Sequence, residues 1–421
     1  MSPYASLAVL LLAAALSSCG GGSSSSSGAA PASNEAIAVS DLQTVRLPDG
    51  GALAAMADAL VVGDHLVVRS RSDSFIIVNG YQVHPRTRLS VLDAQGKLTA
   101  STDYGFTLAA GYTGEWLMLP SPDGFLMVQA GAGARMLHFD PQAKLSGGAT
   151  DLYPAVATTS TTELAAAENG AAVDGNGFWL ATTFSLLPVT DKTQYQLKLC
   201  KFDFNGKQST PPFVISTSAL HPRVAAASGV VLAGWMENGG ATLAMWPKAT
   251  GAPSIRSLST GGAQPYPVAL DVAGKMGVLW NGKGSLTTPG GVMGVTIDAN
   301  GAAVLPAGRT DLTQETLSAT WQGNVRTTDI DAHAFSGGLA LASSVIGAFN
   351  PGDTPADVLV LADYGVGKGT LSAQAATVLR FKPADALGLT PVFRQMQFSD
   401  HALLLMGDDS QLRTLRVTRK R

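Results

Sequence analysis

The hydrophobic positions of this chain recur in short runs and not at helical spacing. No long stretch carries apolar residues at i, i+3, i+4 and i+7, the pattern of an amphipathic helix. Instead, short runs rich in β-branched, aromatic and small apolar residues recur, as at 125–130 and 178–184, and Gly, Asp and Pro bound them. Strands separated by turn-forming residues account for such a pattern. The sequence therefore predicts an all-β body.

One unit recurs along this body. It consists of a strand, a tight turn at Gly, Asp or Ser, and a second strand of small apolar residues. Four strands per unit and seven units predict a single β-propeller, with six or eight blades as alternatives, because radially packed sheets leave only short, protected edges. No WD, kelch or sialidase-type repeat motif accompanies the pattern, so the propeller is degenerate and has no assigned subfamily. The seven turns lie near Gly63, Asp123, Gly175, Ser228, Gly274, Gly337 and Asp400.

Four further turns share an aspartate. Asp93, Asp140, Asp203 and Asp298 each end an alternating strand and are followed within three residues by Asn, Gln or Gly. A carboxylate that accepts a nearby backbone N–H, followed by a residue able to enter the left-handed region, suits a hairpin turn. We interpret these segments as hairpins and not as calcium loops, because the downstream bidentate Glu of an EF-hand is missing.

The two ends of the body complement each other. Residues 412–421 supply only a third strand for the last unit, and residues 37–47 form an unpaired strand before the first. Pairing these two strands would complete the seventh blade and close the ring. The sequence therefore predicts that residues 418–421 lie beside the start of the domain.

The N-terminal segment differs from the rest. Residues 5–16 form an apolar run of about 12 residues, too short to span a bilayer and typical of a signal peptide. The run ends in Leu16-Ser17-Ser18-Cys19, followed by Gly20. This motif resembles the lipobox of bacterial lipoproteins, in which an aliphatic residue and two small residues precede the acylated cysteine. An ordinary secretory signal is the alternative, and residues 1–4 lack the usual Lys or Arg.

The resemblance implies that residues 1–18 are a signal peptide and that Cys19 carries palmitate-like acyl chains. Two such chains attach a protein stably to a membrane. Gly20 resembles the sorting pattern of outer-membrane lipoproteins, which implies a bacterial envelope protein with its domain in the periplasm or at the cell surface. Residues 19–35 are rich in Gly and Ser and predict a flexible tether. Residues 36–421 are the predicted propeller domain.

Composition excludes one class of partner. A net charge of -3 and a pI near 6.1 leave no broad basic field, which argues against nucleic acid. Hydrophobic residues make up 46% of the chain, enough for a core and too many for a disordered protein. Two cysteines cannot build a disulfide framework.

The two faces of the predicted propeller carry different connections. First-to-second and third-to-fourth turns share one face and are short. The other connections share the opposite face, which we call the insertion face, and hold the long inserts. These inserts are residues 71–86, 185–194, 281–291, 309–328 and 346–375.

Loops on a rigid scaffold commonly carry function, so the insertion face over the channel is the predicted binding surface. Opposite charges and tyrosines on two inserts, with a histidine near the channel, would suit a polar ligand or a glycan. Solvated loop residues without a ligand are the alternative. The candidate binding residues are Tyr81, His84, Arg86, Arg88, His333, Asp353, Asp357, Asp363 and Tyr364.

Catalytic and metal-binding motifs are sparse. The six histidines show no zinc-type spacing, so the sequence predicts no metal site and no cofactor. Asp329 and Asp331 stand near His333, which leaves an acid–base role open there. Cys200 lies in an alternating strand and is interpreted as a small buried hydrophobe and not as a reactive thiol.

These features favour a non-enzymatic role. The leading hypothesis is a lipid-anchored envelope propeller that serves as a binding or scaffold module for an envelope protein or glycan. An enzyme acting on a glycan or another extracellular polymer, with carboxylates at the channel mouth, is the first alternative. A purely structural envelope protein is the second.

Overall fold

The chain folds into seven four-stranded antiparallel sheets arranged in a ring, a seven-bladed β-propeller. This confirms the predicted fold class and blade number. The computed structural model describes residues 37–47, 55–71, 76–78, 81–83, 86–105, 116–130, 133–153, 163–186, 195–210, 212–227, 229–246, 253–270, 275–282, 291–298, 310–311, 322–335, 338–348, 356–366, 371–380, 392–407 and 412–419.

The strands run in chain order from the N-terminal closing strands through blades one to seven. The closing strands are β1 (Ile37–Val39) and β2 (Gln43–Val45). Blade one holds β3 (Ala55–Val62), β4 (His65–Arg71), a hairpin of β5 (Ile76–Val78) and β6 (Tyr81–Val83), β7 (Arg86–Leu92) and β8 (Leu98–Gly105). Blade two holds β9 (Trp116–Ser121), β10 (Gly124–Ala130), β11 (Ala134–Phe139) and β12 (Leu145–Tyr153). Blade three holds β13 (Glu163–Asp174), β14 (Gly177–Leu186), β15 (Tyr195–Asp203) and β16 (Phe213–Ser216).

The remaining blades repeat this arrangement. Blade four holds β17 (Leu220–Ala227), β18 (Val230–Glu237), β19 (Gly240–Trp246) and β20 (Ser254–Leu258). Blade five holds β21 (Tyr266–Ala269), β22 (Lys275–Gly282), β23 (Gly291–Asp298) and β24 (Thr310–Asp311). Blade six holds β25 (Gln322–Phe335), β26 (Gly338–Ala348), β27 (Ala356–Val366) and β28 (Leu371–Arg380). Blade seven holds β29 (Val392–Gln397), β30 (Ala402–Gly407) and β31 (Leu412–Arg419).

The N-terminal strands close the ring as predicted. β1 and β2 both pair antiparallel with β31 and supply the fourth strand of blade seven, with Ile37 opposite Arg419 and Val45 opposite Leu412. Ser40 bridges the gap between the two short strands, because its N–H donates to the Arg416 carbonyl and its hydroxyl accepts the Arg416 N–H. One interrupted strand therefore joins the two ends of the domain.

Each blade presses both of its faces against its neighbours. In blade one, the middle of β4 and nearly all of β7 are buried, whereas most of the outer strand β8 is exposed. Inner strands buried on both faces become continuous apolar runs, because water reaches neither face. Seven clusters of buried side chains, each drawn from two consecutive blades, fill the interfaces around the ring.

Three of the four aspartate turns are described, and they share one geometry. Asp93, Asp140 and Asp203 each accept two backbone N–H bonds on Oδ1, from the residues two and four positions later, at 2.8 to 3.0 Å. The third residue after each aspartate has a positive φ, 81° at Gly96, 61° at Ala143 and 83° at Gly206. The hairpin interpretation is thus confirmed at these three positions, and the turn at Asp298 continues outside the described residues.

Candidate functional site

The candidate residues of the first insert form an ion pair within blade one. Arg86 begins β7 and is exposed, and its Nη2 lies 2.8 Å from Oδ2 of Asp103. Arg88 is buried, and its Nε donates to Oδ1 of the same carboxylate at 2.6 Å. Asp103 lies on the neighbouring outer strand β8. Both arginines therefore serve the pairing of β7 with β8, and Arg88 does not lie on an exposed loop.

Two candidate residues of the sixth blade are placed differently from the prediction. The predicted insert at 346–375 shrinks to the segment between β26 and β27, because both strands continue into it. Asp363 and Tyr364 lie within β27, and both are buried. Arg419 donates from Nε to both oxygens of Asp363 at 2.8 Å. Burial raises the pKa of Asp363, and the charge of Arg419 opposes that rise. Asp363 thus joins blade six to the C-terminal strand, while Tyr364 packs in the cluster between blades five and six, and neither residue presents a loop surface.

The side chains of the remaining candidate residues lie outside the part of the chain that the structure describes. Cys19, His84 and Asp353 lie outside the described residues. Tyr81 and Asp357 lie in β6 and β27, where only the backbone is described. His333 lies in the inner strand β25, opposite Ala340 and two residues after Asp331. Their predicted binding roles stay predictions.

A cavity of about 250 Å³ lies in the central channel, formed by inner strands from all seven blades. Tyr266 begins β21 and Leu117 is the second residue of β9, so the cavity lies toward the end where inner strands begin. The insertion face is at that end. The lining residues are Asp58, Leu117, Gly170, Ala171, Arg223, Val224, Tyr266, Pro267, Val268, Leu279, Ile330, Asp331, Ala332 and Arg394.

The repeat brings equivalent positions of different blades together at this cavity. Asp58, Leu117, Gly170, Arg223 and Asp331 are each the fifth residue from the end of their inner strand, in blades one, two, three, four and six. Because the inner strands surround the axis side by side, one register position forms a ring. The ring is apolar at blades two and three and charged at blades one, four and six.

Two carboxylates of the ring also bind the neighbouring blade. Asp58 accepts the backbone N–H of Met118, in β9 of the next blade, on Oδ2 at 3.2 Å. Asp331 in the same way accepts the backbone N–H of Gln395, in β29 of the next blade. Each carboxylate therefore helps to fix two inner strands together. A carboxylate has about four lone-pair sites, so Asp58, which accepts from Ala59 and Met118, can accept further bonds.

A cation–aromatic pair occupies the opposite part of the ring. The Arg223 guanidinium lies over the Tyr266 ring, with Cζ 5.2 Å from the ring centroid, and joins blades four and five. Arg223 is exposed to the channel solvent, and Tyr266 is half-buried. Arg394 on β29 supplies a second guanidinium, between the blades that carry Asp331 and Asp58. The cavity thus combines two arginines, two carboxylates and a tyrosine.

Sequence reasoning missed most of this site. Asp331 was noted only as a neighbour of His333, and Asp58, Arg223, Tyr266 and Arg394 were not singled out. The available signal was a single charged residue within an inner-strand run of small or apolar residues, as in Ala-Asp58-Ala and Pro-Arg223-Val. Charged residues at the same inner-strand position in several repeats strengthen that signal.

Cys200, the cysteine among the described residues, does not line the cavity. Cys200 is buried between blades two and three, and this burial raises the pKa of its thiol to about 12. The thiol is therefore protonated at neutral pH, in line with its interpretation as a buried hydrophobe. No group of three or more His, Cys, Asp or Glu side chains that could hold a metal ion occurs among the described residues. Within that same part of the chain, no helix has the length and apolar character needed to cross a membrane.

The chain is similar to several solved structures at low identity. The chain is similar to the β-propeller domain of the trilobed protease from Pyrococcus furiosus, at 9% identity over 88% of this chain and 96% of that one, with a TM-score of 0.45. It is also similar to YCF48 from Cyanidioschyzon merolae, at 12% identity over 89% and 98% of the two chains, with a TM-score of 0.46. A GH43 endo-arabinanase from Bacillus licheniformis aligns over 63% of this chain and 99% of its own, at 13% identity and a TM-score of 0.33. No protein-family model and no curated protein matches the sequence. At these identities the resemblance concerns the fold alone.

Proposed function

We propose that this protein is a lipid-anchored β-propeller of the bacterial cell envelope whose central channel binds a small polar ligand. The ligand would be a free envelope metabolite or the end of an envelope glycan. One observation supports this proposal above the others: the cavity of about 250 Å³ combines convergent charged and aromatic side chains from blades one, four, five, six and seven. A few polar groups converging in a concave pocket are typical of a ligand site.

Among the residues that the structure describes, the channel offers groups suited to binding a ligand. Arg223 and Tyr266 present a guanidinium and a phenol, while Asp58 already accepts two backbone N–H bonds, from Ala59 and Met118. Asp58 is held in place by these bonds, which suits it to accept a hydrogen bond from a ligand hydroxyl. Any reaction that moved its carboxylate would break the bond to Met118 and disturb the packing of two inner strands. The binding role therefore accounts for more of the geometry than a catalytic one.

A glycan-acting enzyme is the second candidate function. It is favoured by one observation, the presence of both Asp58 and Asp331 in the same cavity. Paired carboxylates on the two sides of a sugar ring are the usual groups for glycoside hydrolysis. Turnover of a bound saccharide, lost in both Asp58→Asn and Asp331→Asn, would support this candidate.

The membrane anchor can be tested independently of the channel. We expect the full chain to incorporate labelled palmitate and to fractionate with the outer membrane, because Cys19 stands at the acylated position of a lipobox. Cys19→Ala should abolish palmitate incorporation and reduce the membrane-bound fraction by at least about tenfold, since each buried CH₂ contributes about 0.8 kcal/mol. Cys200→Ala is the matched control and should leave both measurements unchanged. Equal labelling of wild type and Cys19→Ala would contradict the anchor.

Ligand binding in the channel can be tested by obstruction. Isothermal titration of the full chain with a panel of neutral and acidic envelope saccharide fragments should show at least one binding member. Ala332→Trp places a bulky indole on a lining residue and should weaken that binding by more than about tenfold, because it occupies the cavity. Ala100→Trp changes an exposed residue of β8 and should have no effect. Equally strong binding in Ala332→Trp and Ala100→Trp would show that the ligand does not bind in the channel.

A further inference from the structure

Arg223 differs from Arg88 and Arg419 in its side-chain partner. Arg88 and Arg419 are each paired with a carboxylate, at 2.6 and 2.8 Å. Across the residues that the structure describes, Arg223 has no carboxylate partner, and its side-chain contact is the face of Tyr266. A guanidinium that contacts only an aromatic ring, inside a concave site, keeps its N–H donors available for a ligand.

The backbone before Arg223 is held in an uncommon conformation. His221 has a φ of 52° although it is not glycine, and the pairing of β17 with β18 shifts register between Leu220 and Arg223. Gln264, just before Tyr266, donates from Nε2 to the His221 carbonyl at 3.2 Å. A left-handed conformation at a non-glycine residue is strained and is found mainly where surrounding contacts enforce it. A bulge of this kind redirects the side chain that follows, here Arg223.

Two glycines allow the neighbouring blades to approach this segment closely. A Cβ on Gly170 would lie 2.6 Å from the Pro222 carbonyl oxygen and 2.9 Å from the Arg223 Cα. A Cβ on Gly234 would lie 3.1 Å from Pro267 and 3.2 Å from Pro265, the two prolines that flank Tyr266. Contacts from blades three, four and five thus hold Arg223, the kinked backbone before it, and Tyr266 in place.

The geometry points to a specific ligand class. We propose that Arg223 and Tyr266 form an anion-binding subsite and that the channel ligand is a small hydroxylated acid. Its carboxylate or phosphate group would bind Arg223, and its hydroxyl groups would donate to Asp58 and Asp331. This inference rests on the proposed binding role of the channel.

Charge and size together select this class. A ligand that is anionic throughout would be repelled by Asp58 and Asp331, and an ammonium group near them would meet the charge of Arg394 between their blades. Hydroxyl groups avoid both conflicts, because they donate to carboxylates and accept from a guanidinium. The cavity of about 250 Å³ is smaller than the usual range for drug-sized ligands, about 300 to 1,000 Å³, so a single sugar acid suits it better than an oligomer.

The test compares three probes on the full chain. Titration with glucuronate, glucose 6-phosphate and glucose should show that at least one acid binds about tenfold or more tighter than the neutral sugar, and comparison of the two acids identifies the anion. Arg223→Gln should weaken acid binding by about 30-fold or more, because a charge-assisted, bidentate contact is lost. Arg223→Lys should recover only part of that loss, since lysine cannot form the fork. Binding of the acids should also weaken as salt is raised.

A matched variant separates the subsite from general charge effects. Arg256 is an exposed arginine on β20, the outer strand of the same blade, and Arg256→Gln changes the net charge identically. It should alter acid binding by less than about twofold. If glucose binds as tightly as the acids, or if Arg223→Gln keeps the preference for acids, the anion subsite is refuted while the channel proposal stands. If only non-acidic saccharides of the wider panel bind, in a manner sensitive to Ala332→Trp, the ligand class is likewise refuted. Absence of any binding sensitive to Ala332→Trp refutes both proposals.

Discussion

Replacing Arg419 by methionine is expected to lower the free energy of unfolding by about 3 kcal/mol, because it leaves the Asp363 carboxylate buried without its counter-charge. Arg419 also donates to the Gln395 side chain at 3.0 Å, so the change removes a bond within blade seven as well. Urea denaturation of the full chain measures the loss. Arg416→Met on the same strand is the control. Arg416 pairs at 3.2 Å with the exposed Asp400, and exposed pairs contribute about 0 to 1 kcal/mol.

The pH dependence of this loss identifies its cause. Burial raises the pKa of Asp363, and Arg419 lowers it again, so the Asp363 pKa should rise further in Arg419→Met. The cost of the uncompensated carboxylate is present above that raised pKa and disappears as acidification protonates Asp363. The stability gap between wild type and Arg419→Met should therefore narrow as pH falls. Asp363→Asn in the Arg419→Met background should recover part of the loss at neutral pH. A gap no larger than that of Arg416→Met, or one that is constant with pH, would show that the pair does not stabilise closure.

Gly177→Ala is expected to have an effect of similar size for a steric reason. The glycine begins β14, and a Cβ there would lie 2.1 Å from the Phe202 carbonyl oxygen of the third strand. Gly124 occupies the same position in blade two, with the Phe139 carbonyl oxygen also 2.1 Å from a Cβ. Both obstacles are backbone atoms, so no side-chain rotation relieves the contact. We expect a loss of about 3 kcal/mol, at the upper end of the usual cost of overpacking.

Two other glycines provide graded controls for this substitution. Gly175, in the same turn, has a φ of 62° and open space around a Cβ, so Gly175→Ala should cost only the left-handed conformation, about 1 to 2 kcal/mol. Gly148 on β12 has open space and no positive φ, so Gly148→Ala should be neutral or slightly stabilising. Thermal and urea unfolding of the three variants should give that order. A Gly177→Ala protein as stable as Gly148→Ala would contradict the close approach of the second and third strands.

The candidate ligand-binding groups of the insertion face lie in the channel and not on the described parts of its loops. The sequence pointed to the long loops, but the described charges of two inserts are engaged in ion pairs, Arg88 with Asp103 within blade one and Asp363 with Arg419 between blades six and seven. The inner strands instead carry the convergent groups. Loop residues such as His84 and Asp353 lie outside the described part of the chain, and their predicted contact with a ligand stays a prediction.

Local and periodic features of the fold were predictable from sequence. The aspartate turns are set by residues within four positions of each other, and Asp93, Asp140 and Asp203 all make the expected backbone bonds. Blade number followed from the repeat itself. Closure of the ring followed from the unpaired strand before the first blade and the missing fourth strand of the last. In the structure, Ile37 pairs with Arg419 as this predicts.

Only the tertiary structure decided which residues form the site. Asp58, Arg223, Asp331 and Arg394 come from four blades, so no local motif connects them, and only the closed ring brings one position of each inner strand to the axis. Likewise, the buried Asp363 of blade six meets Arg419 of blade seven, 56 residues later in the chain, only because the two blades pack together. The sequence alone determined the repeat, its turns and its ends, because those depend on neighbours along the chain. The chemistry of the channel depends on which residues of different blades meet at the axis. The sequence repeat gives the number of blades but does not show which residues meet.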